Sequence, residues 1–154
     1  MLAPLCQALP PSELIIAARF ISNEMHVSSF NDEIMMVPLD YTCDQSATLF
    51  LHNLSKWDHL QFIILWVHSS NHGFSRRIIE TVSTFDIPPT VIHVFGSKEK
   101  DSNLIQCAKA HNVRLTPVKL GKIETPAGWR WLTHQEISTQ VADALRDAGT
   151  NAPI

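Results

Sequence analysis

The chain has 154 residues, of which 45% are hydrophobic and 18% charged. Twelve Lys and Arg stand against fifteen Asp and Glu, a formal net charge of −3. This composition excludes a disordered chain and gives no positive field for bulk nucleic-acid binding, while the length suits one domain with one substantial core. Three widely spaced cysteines (Cys6, Cys43, Cys107) form no CxxC, so no disulfide framework or cysteine zinc site is read and a reducing cytoplasm is expected. No apolar run reaches the roughly 18 residues that span a bilayer, and Met1–Leu9 lacks a basic segment followed by a long apolar stretch.

In chain order, Pro10-Pro11 precede Glu13-Leu-Ile-Ile-Ala-Ala-Arg19, a short apolar run with two isoleucines that reads as a buried strand. Ile34-Met-Met-Val-Pro-Leu39 is a second strand. Its Pro38 cannot donate to a ladder, which assigns it to an edge. Asp40-Tyr-Thr-Cys-Asp44 leads into a helix over about 45–57 with Asp44 as N-cap. Phe62-Ile-Ile-Leu-Trp-Val67 is the most apolar segment and reads as a central strand.

Ser69, Ser70 and Asn71 then cap a helix running to about Phe85, in which Phe74, Ile78, Val82 and Phe85 form an inner stripe and Arg76, Arg77 and Glu80 lie off it. Thr90–Phe95 is a strand closed by Gly96-Ser97, and a helix follows over about 102–111. Val113–Val118 is another strand, Lys122–Trp131 reads as a loop, and Thr133-His-Gln-Glu136 has capping-box spacing at the start of the last helix. Ile137, Val141, Ala144 and Leu145 form that helix's inner face, and residues 148–154 read as a frayed tail after a single domain over 1–147.

Strands and helices therefore alternate. Parallel strands need crossovers, so the expected architecture is an α/β, Rossmann-like open parallel sheet with flanking helices. The order of strand, Ala18-Arg19, strand, Leu39-Asp40-Tyr-Thr, strand, strand-Gly96-Ser97 and strand-Leu120-Gly121 resembles the short-chain dehydrogenase/reductase group, in the manner of a small atypical member. Leu65-Trp-Val-His-Ser-Ser70 and Arg130-Trp-Leu-Thr-His-Gln-Glu-Ile-Ser138 are the most family-like phrases, and the likeness covers about residues 1–147.

Two departures accompany it. The five glycines (Gly73, Gly96, Gly121, Gly128, Gly149) form no GxGxxG turn. Met1-Leu-Ala-Pro-Leu-Cys6 looks like the start of the family's first helix, so the first strand and phosphate-gripping turn are expected to be missing and the sheet to be N-terminally incomplete. The expected consequence is that Glu13–Arg19 and Phe62–Val67 are adjacent and parallel, or share one inserted strand from Met1–Leu9 or a second copy in a homo-oligomer. The family's Tyr-x-x-x-Lys pair is also missing: the only tyrosine is Tyr41, with Gln45 four residues on, and the helix in the matching place offers Cys107 and His111.

The resemblance implies an NAD(P)-binding protein whose cofactor, given the arginine at the first strand end, is NADP. Arg19 would meet a ribose 2′-phosphate and Asp40 the adenine amino group. His68, Ser69, Gly96 and Ser97 would line the crevice beyond the strand ends. The bland alternatives are a solvated arginine for Arg19, a turn former for Asp40, a helix cap for Ser69 and Ser70, and a turn residue for Ser97. His68 and His72 stand four apart, but a strand end and a helix start share no face, and no metal is assigned to them. His93 reads as an interior histidine. Trp129 and Trp131 flank Arg130, either as a lid over a ligand or as a pin or subunit contact. The expected partner is a dinucleotide or small molecule, not nucleic acid or membrane. If active, the chain would be an NADP-dependent oxidoreductase; the alternative is a non-catalytic interaction or regulatory module on the same fold.

Overall fold

The structure is a computed structural model and describes residue 5 and residues 14–20, 34–67, 72–96 and 102–150. Two apolar runs make the first ladder. Strand β1 (Leu14–Ala18) pairs in parallel with β2 (Ile34–Pro38), from Leu14 opposite Ile34 to Ala18 opposite Pro38. Pro38, which has no N–H to give the ladder, is the last residue of β2, and the next N–H, that of Leu39, resumes bonding to the Ala18 carbonyl at 3.0 Å.

Helix α1 (Asp44–Leu54) begins one residue earlier than expected and ends at Leu54. Its N-cap is Cys43, with extended backbone and no side-chain cap. Asp44 is thus the first helical residue, and its carboxylate takes a hydrogen bond from Arg77 Nη1 at 3.0 Å, which holds α1 to the following helix rather than capping its own. Ala47, Leu51 and Leu54 recur at helical spacing and are buried.

The second ladder is parallel throughout. Its order is β3 (Phe62–Leu65), β4 (Thr90–Phe95) and β5 (Leu115–Lys119). Helix α2 (His72–Val82) lies between β3 and β4 in sequence, and α3 (Ser102–Ala110) between β4 and β5. All six residues of β4 are buried, as a central strand covered on both faces requires. Its side chains alternate: Val91 joins a cluster with Ile78 and Val82 of α2 and Leu104 and Ala108 of α3. Ile92 and Val94 join a second cluster with Val141 and Leu145 of the last helix, α4 (His134–Thr150). The inner stripe Phe74, Ile78, Val82 and Phe85 is buried as its spacing predicts. The arrangement is a layered α/β fold with α2 and α3 on one face of a parallel sheet and α4 on the other.

Three expectations are corrected. β1 and β3 are not ladder neighbours, and no inserted strand joins them among the described residues: β1–β2 and β3–β4–β5 are two separate sheets. A single open sheet through both segments is therefore not what forms. The union is apolar instead, since Ala17, Leu39, Tyr41 and all of the buried α1 residues pack into the cluster that holds Leu65 and Val67. Lys122–Trp131 is not a loop but an antiparallel hairpin, β6 (Lys122–Thr125) and β7 (Gly128–Trp131), whose turn Gly128 closes with φ +112°. Helix α4 continues to Thr150 and buries Ala148, so the last helix reaches into the stretch read as a tail.

Candidate functional site

Parallel pairing decides where the strand-end residues go. Ala18 lies opposite Pro38, so the chains leave both strands at the same end, with Arg19 directly after β1 and Asp40 two residues after Pro38. Arg19 Nε is 3.4 Å from Asp40 Oδ1, with the side chains 43% and 36% exposed. Asp40 Oδ1 also accepts from the Thr42 hydroxyl at 2.5 Å and the Thr42 N–H at 2.9 Å, while the Asp40 N–H donates to Ser46 Oγ at 3.0 Å. The carboxylate is thus a turn former, as its bland reading has it, and it is also held in one orientation. The Thr42 bonds, with a smaller contribution from Arg19, hold its carboxyl below the usual aspartate range. The Arg19 guanidinium lies 5.9 Å from the centre of the Tyr41 ring, and Tyr41 stacks on Phe74 at 5.9 Å. A cation, a fixed acceptor and an aromatic face therefore share one solvent-facing ledge.

The second feature is a cleft of about 220 Å³ beyond the carboxyl ends of β3, β4 and β5. Each strand contributes its exit residues: Trp66 and Val67, Phe95 and Gly96, Leu120 and Gly121. Trp131 and Leu132 close it from the hairpin, and Ile137 from α4. The lining is apolar and open on one side. Of the residues expected in the crevice, Gly96 is there; His68, Ser69 and Ser97 lie outside the described residues, as does the expected helix cap Ser70.

The hairpin is fastened over this cleft by one carboxylate. Glu136 accepts from the Thr133 N–H at 2.7 Å and the Thr133 hydroxyl at 2.9 Å, and its own N–H donates to Thr133 Oγ1 at 3.2 Å, completing the capping box. Arg130 adds a two-pronged pair, Nη1 to Oε2 and Nη2 to Oε1, each 2.8 Å. Arg130 first, then Thr133, pull the Glu136 carboxyl down to about 2. On the other face of the hairpin Lys122 Nζ stands 4.9 Å from the Trp131 ring centre.

Sequence reasoning missed Trp66, Leu120 and Trp131 as one apolar lining. The signal was available, because each lies at a strand exit or just past a glycine-marked turn. The helix expected to replace the Tyr-x-x-x-Lys pair does bring Cys107 and His111 to one face, away from the cleft lining, where they meet Glu80 of α2. Tyr41 is committed to ring packing. His93 is buried in β4 and stacks on Phe95 with ring centres 5.4 Å apart, in keeping with an interior histidine. No family model, no curated protein and no solved structure matches this chain.

Proposed function

We propose that the chain is a pyridine-dinucleotide-binding module similar to short-chain dehydrogenases, with NADP as its ligand and without the tyrosine–lysine chemistry of carbonyl reduction. The observation that carries this reading is the Arg19–Asp40 ledge at the ends of two parallel strands. An exposed guanidinium suits a ribose 2′-phosphate, which it meets with charge-assisted, two-pronged hydrogen bonds. A loose 3.4 Å ion pair in solvent is readily exchanged for such a partner. The carboxylate beside it, fixed by Thr42 and kept ionised, accepts from an exocyclic amino group. Ligands of open parallel sheets bind beyond the strand carboxyl ends, which is where the cleft lies. At about 220 Å³ the cleft falls below the roughly 300–1,000 Å³ of whole-ligand sites, so it takes one ring of the ligand and the rest lies along the surface.

NADPH fluorescence, titrated against the protein and compared with NADH, tests this. The expected result is saturable binding that favours NADPH, with the preference lost in Arg19→Ala. A hydrogen bond to a charged group contributes about 1.5–3 kcal/mol, taken at the low end for an exposed side chain, so the preference is about tenfold. No binding at millimolar NADPH, or an unchanged preference in Arg19→Ala, refutes the proposal.

One observation favours a second reading, an interaction module. Trp129 and Trp131 on the hairpin are 67% and 56% exposed, and tryptophan is enriched where proteins meet. This reading gains if NADPH fails to bind while Trp129→Ala and Trp131→Ala abolish self-association of the chain in sedimentation.

A further inference from the structure

One group of side chains belongs to neither the ledge nor the cleft. Glu80 on α2 and Cys107 and His111 at the end of α3 converge so that one ligand atom from each lies within 4.8 Å of the other two. We propose that these three residues form a binding site for one zinc(II) ion in the seam between α2 and α3.

The backbone that holds them is well fixed. α2 and α3 pack through the cluster containing Ile78, Val82, Leu104 and Ala108. Cys107 and His111 stand one helical turn apart, and the His111 N–H donates to the Cys107 carbonyl at 3.1 Å, so the turn carrying both is formed. It is locked by Asn112 in the left-handed region (φ 59°) and by the Val113 N–H bonding to the Ala108 carbonyl at 2.9 Å, a helix-terminating arrangement. Cys107 is 8% exposed and packed in the core cluster, whereas Glu80 and His111 are exposed.

The donor chemistry is specific. Zinc bonds of roughly 2.0–2.3 Å in a tetrahedron set donors about 3.3–3.8 Å apart, so atoms within 4.8 Å of one another need to close by at most about 1–1.5 Å. Thiolate with imidazole favours a borderline-soft ion over magnesium or calcium. The Ser83 hydroxyl donates to the Glu80 carbonyl at 2.8 Å, and its oxygen stands 3.5 Å from His111 Nδ1, a polar neighbour that helps orient the imidazole beside the other two ligands. On binding, the Cys107 thiol releases one proton to solvent and its sulfur bonds the ion. Thiolate and carboxylate together then neutralise the two positive charges, and the fourth position is left to water. The site is independent of the nucleotide proposal, since it shares no residue with the ledge or the cleft.

The test is titration of the reduced full chain with cobalt(II), whose thiolate charge-transfer band and tetrahedral visible bands report the ligand set, followed by competition with zinc(II). The expected result is one equivalent bound with a thiolate band, displaced by one equivalent of zinc. His111→Ala and Glu80→Gln, both on exposed side chains, should weaken binding at least tenfold with unchanged circular dichroism. Cys107→Ser should remove the thiolate band, whereas Cys43→Ser should keep it. Because Cys107 touches the core, the two exposed variants decide the matter if Cys107→Ser fails to fold. No saturable thiolate band in the wild type, or unchanged affinity in both His111→Ala and Glu80→Gln, overturns the proposal.

Discussion

Glu136 serves two partners with one carboxylate: it closes the capping box with Thr133 and anchors Arg130 of the hairpin. Its folded-state carboxyl is lowered from the ordinary 4.5 to about 2. A lowered carboxyl contributes stability that is fully present above the unfolded value and is lost as pH falls through the folded one. Glu136→Gln should therefore melt below the wild type at pH 6, and the gap should close as pH falls from about 4.5 toward about 2. A gap that stays constant across that range contradicts the assignment. Thr133→Ala removes the reciprocal cap and should destabilise the protein by about 1 kcal/mol in denaturant unfolding, against no change for the exposed Thr139→Ala. The Thr133–Glu136 box was legible because both partners lie within one turn of sequence. Arg130 was not, because its approach depends on the hairpin bending back, and no local spacing encodes that. Asp44 is the first helical residue rather than the N-cap, and its carboxylate accepts from Arg77, 33 residues away, a contact no local spacing encodes.

At the scale of elements, apolar runs identified every strand of the two parallel sheets, and Phe74, Ile78 and Val82 were legible on the buried face of α2, which also buries Ser75 and Ile79. The β6–β7 hairpin escaped because its strands are short, exposed and rich in charge. Lys122-Ile-Glu-Thr125 does alternate in burial with period two, and that alternation was the available clue. Gly128 sits at φ +112°, where an L side chain is strained whatever the space around it. Gly128→Ala should cost more than about 1 kcal/mol of stability and loosen the hairpin, seen as a lower melting temperature with altered Trp131 emission. Ile78, nearly fully buried between α2 and the sheet, should lose about 2–5 kcal/mol on truncation to Ala, a large fraction of the roughly 5–15 kcal/mol that holds a typical domain together. Amide exchange should be faster in β1 and β2 than in β4, since a two-stranded ladder has little independent stability and β4 is buried on both faces. Equal protection would contradict this division.

Across the whole molecule, layered α/β architecture followed from the alternation of strands and helices. The separation of β1–β2 from β3–β4–β5 did not, because backbone ladders between distant segments have no periodic signature; among the described residues an apolar cluster joins the two sheets. Arg19 and Asp40 were legible as strand-end residues, and parallel register brings both out at the same end. The apolar cleft was legible only in outline, as the region beyond the strand ends. No helix among the described residues is long and apolar enough to cross a membrane. The proposed function requires the ledge and the cleft to receive NADP together.

The most direct test is the indole N–H spectrum of the four tryptophans during NADPH titration. Trp66 and Trp131 line the cleft, whereas Trp57 packs on Phe50 before β3 begins, toward the opposite strand end. NADP binding at the ledge and cleft should give saturating shifts of the Trp66 and Trp131 signals with Trp57 unmoved. Shifts confined to Trp57 or Trp129, or no shift in any of the four at saturating NADPH, would contradict it.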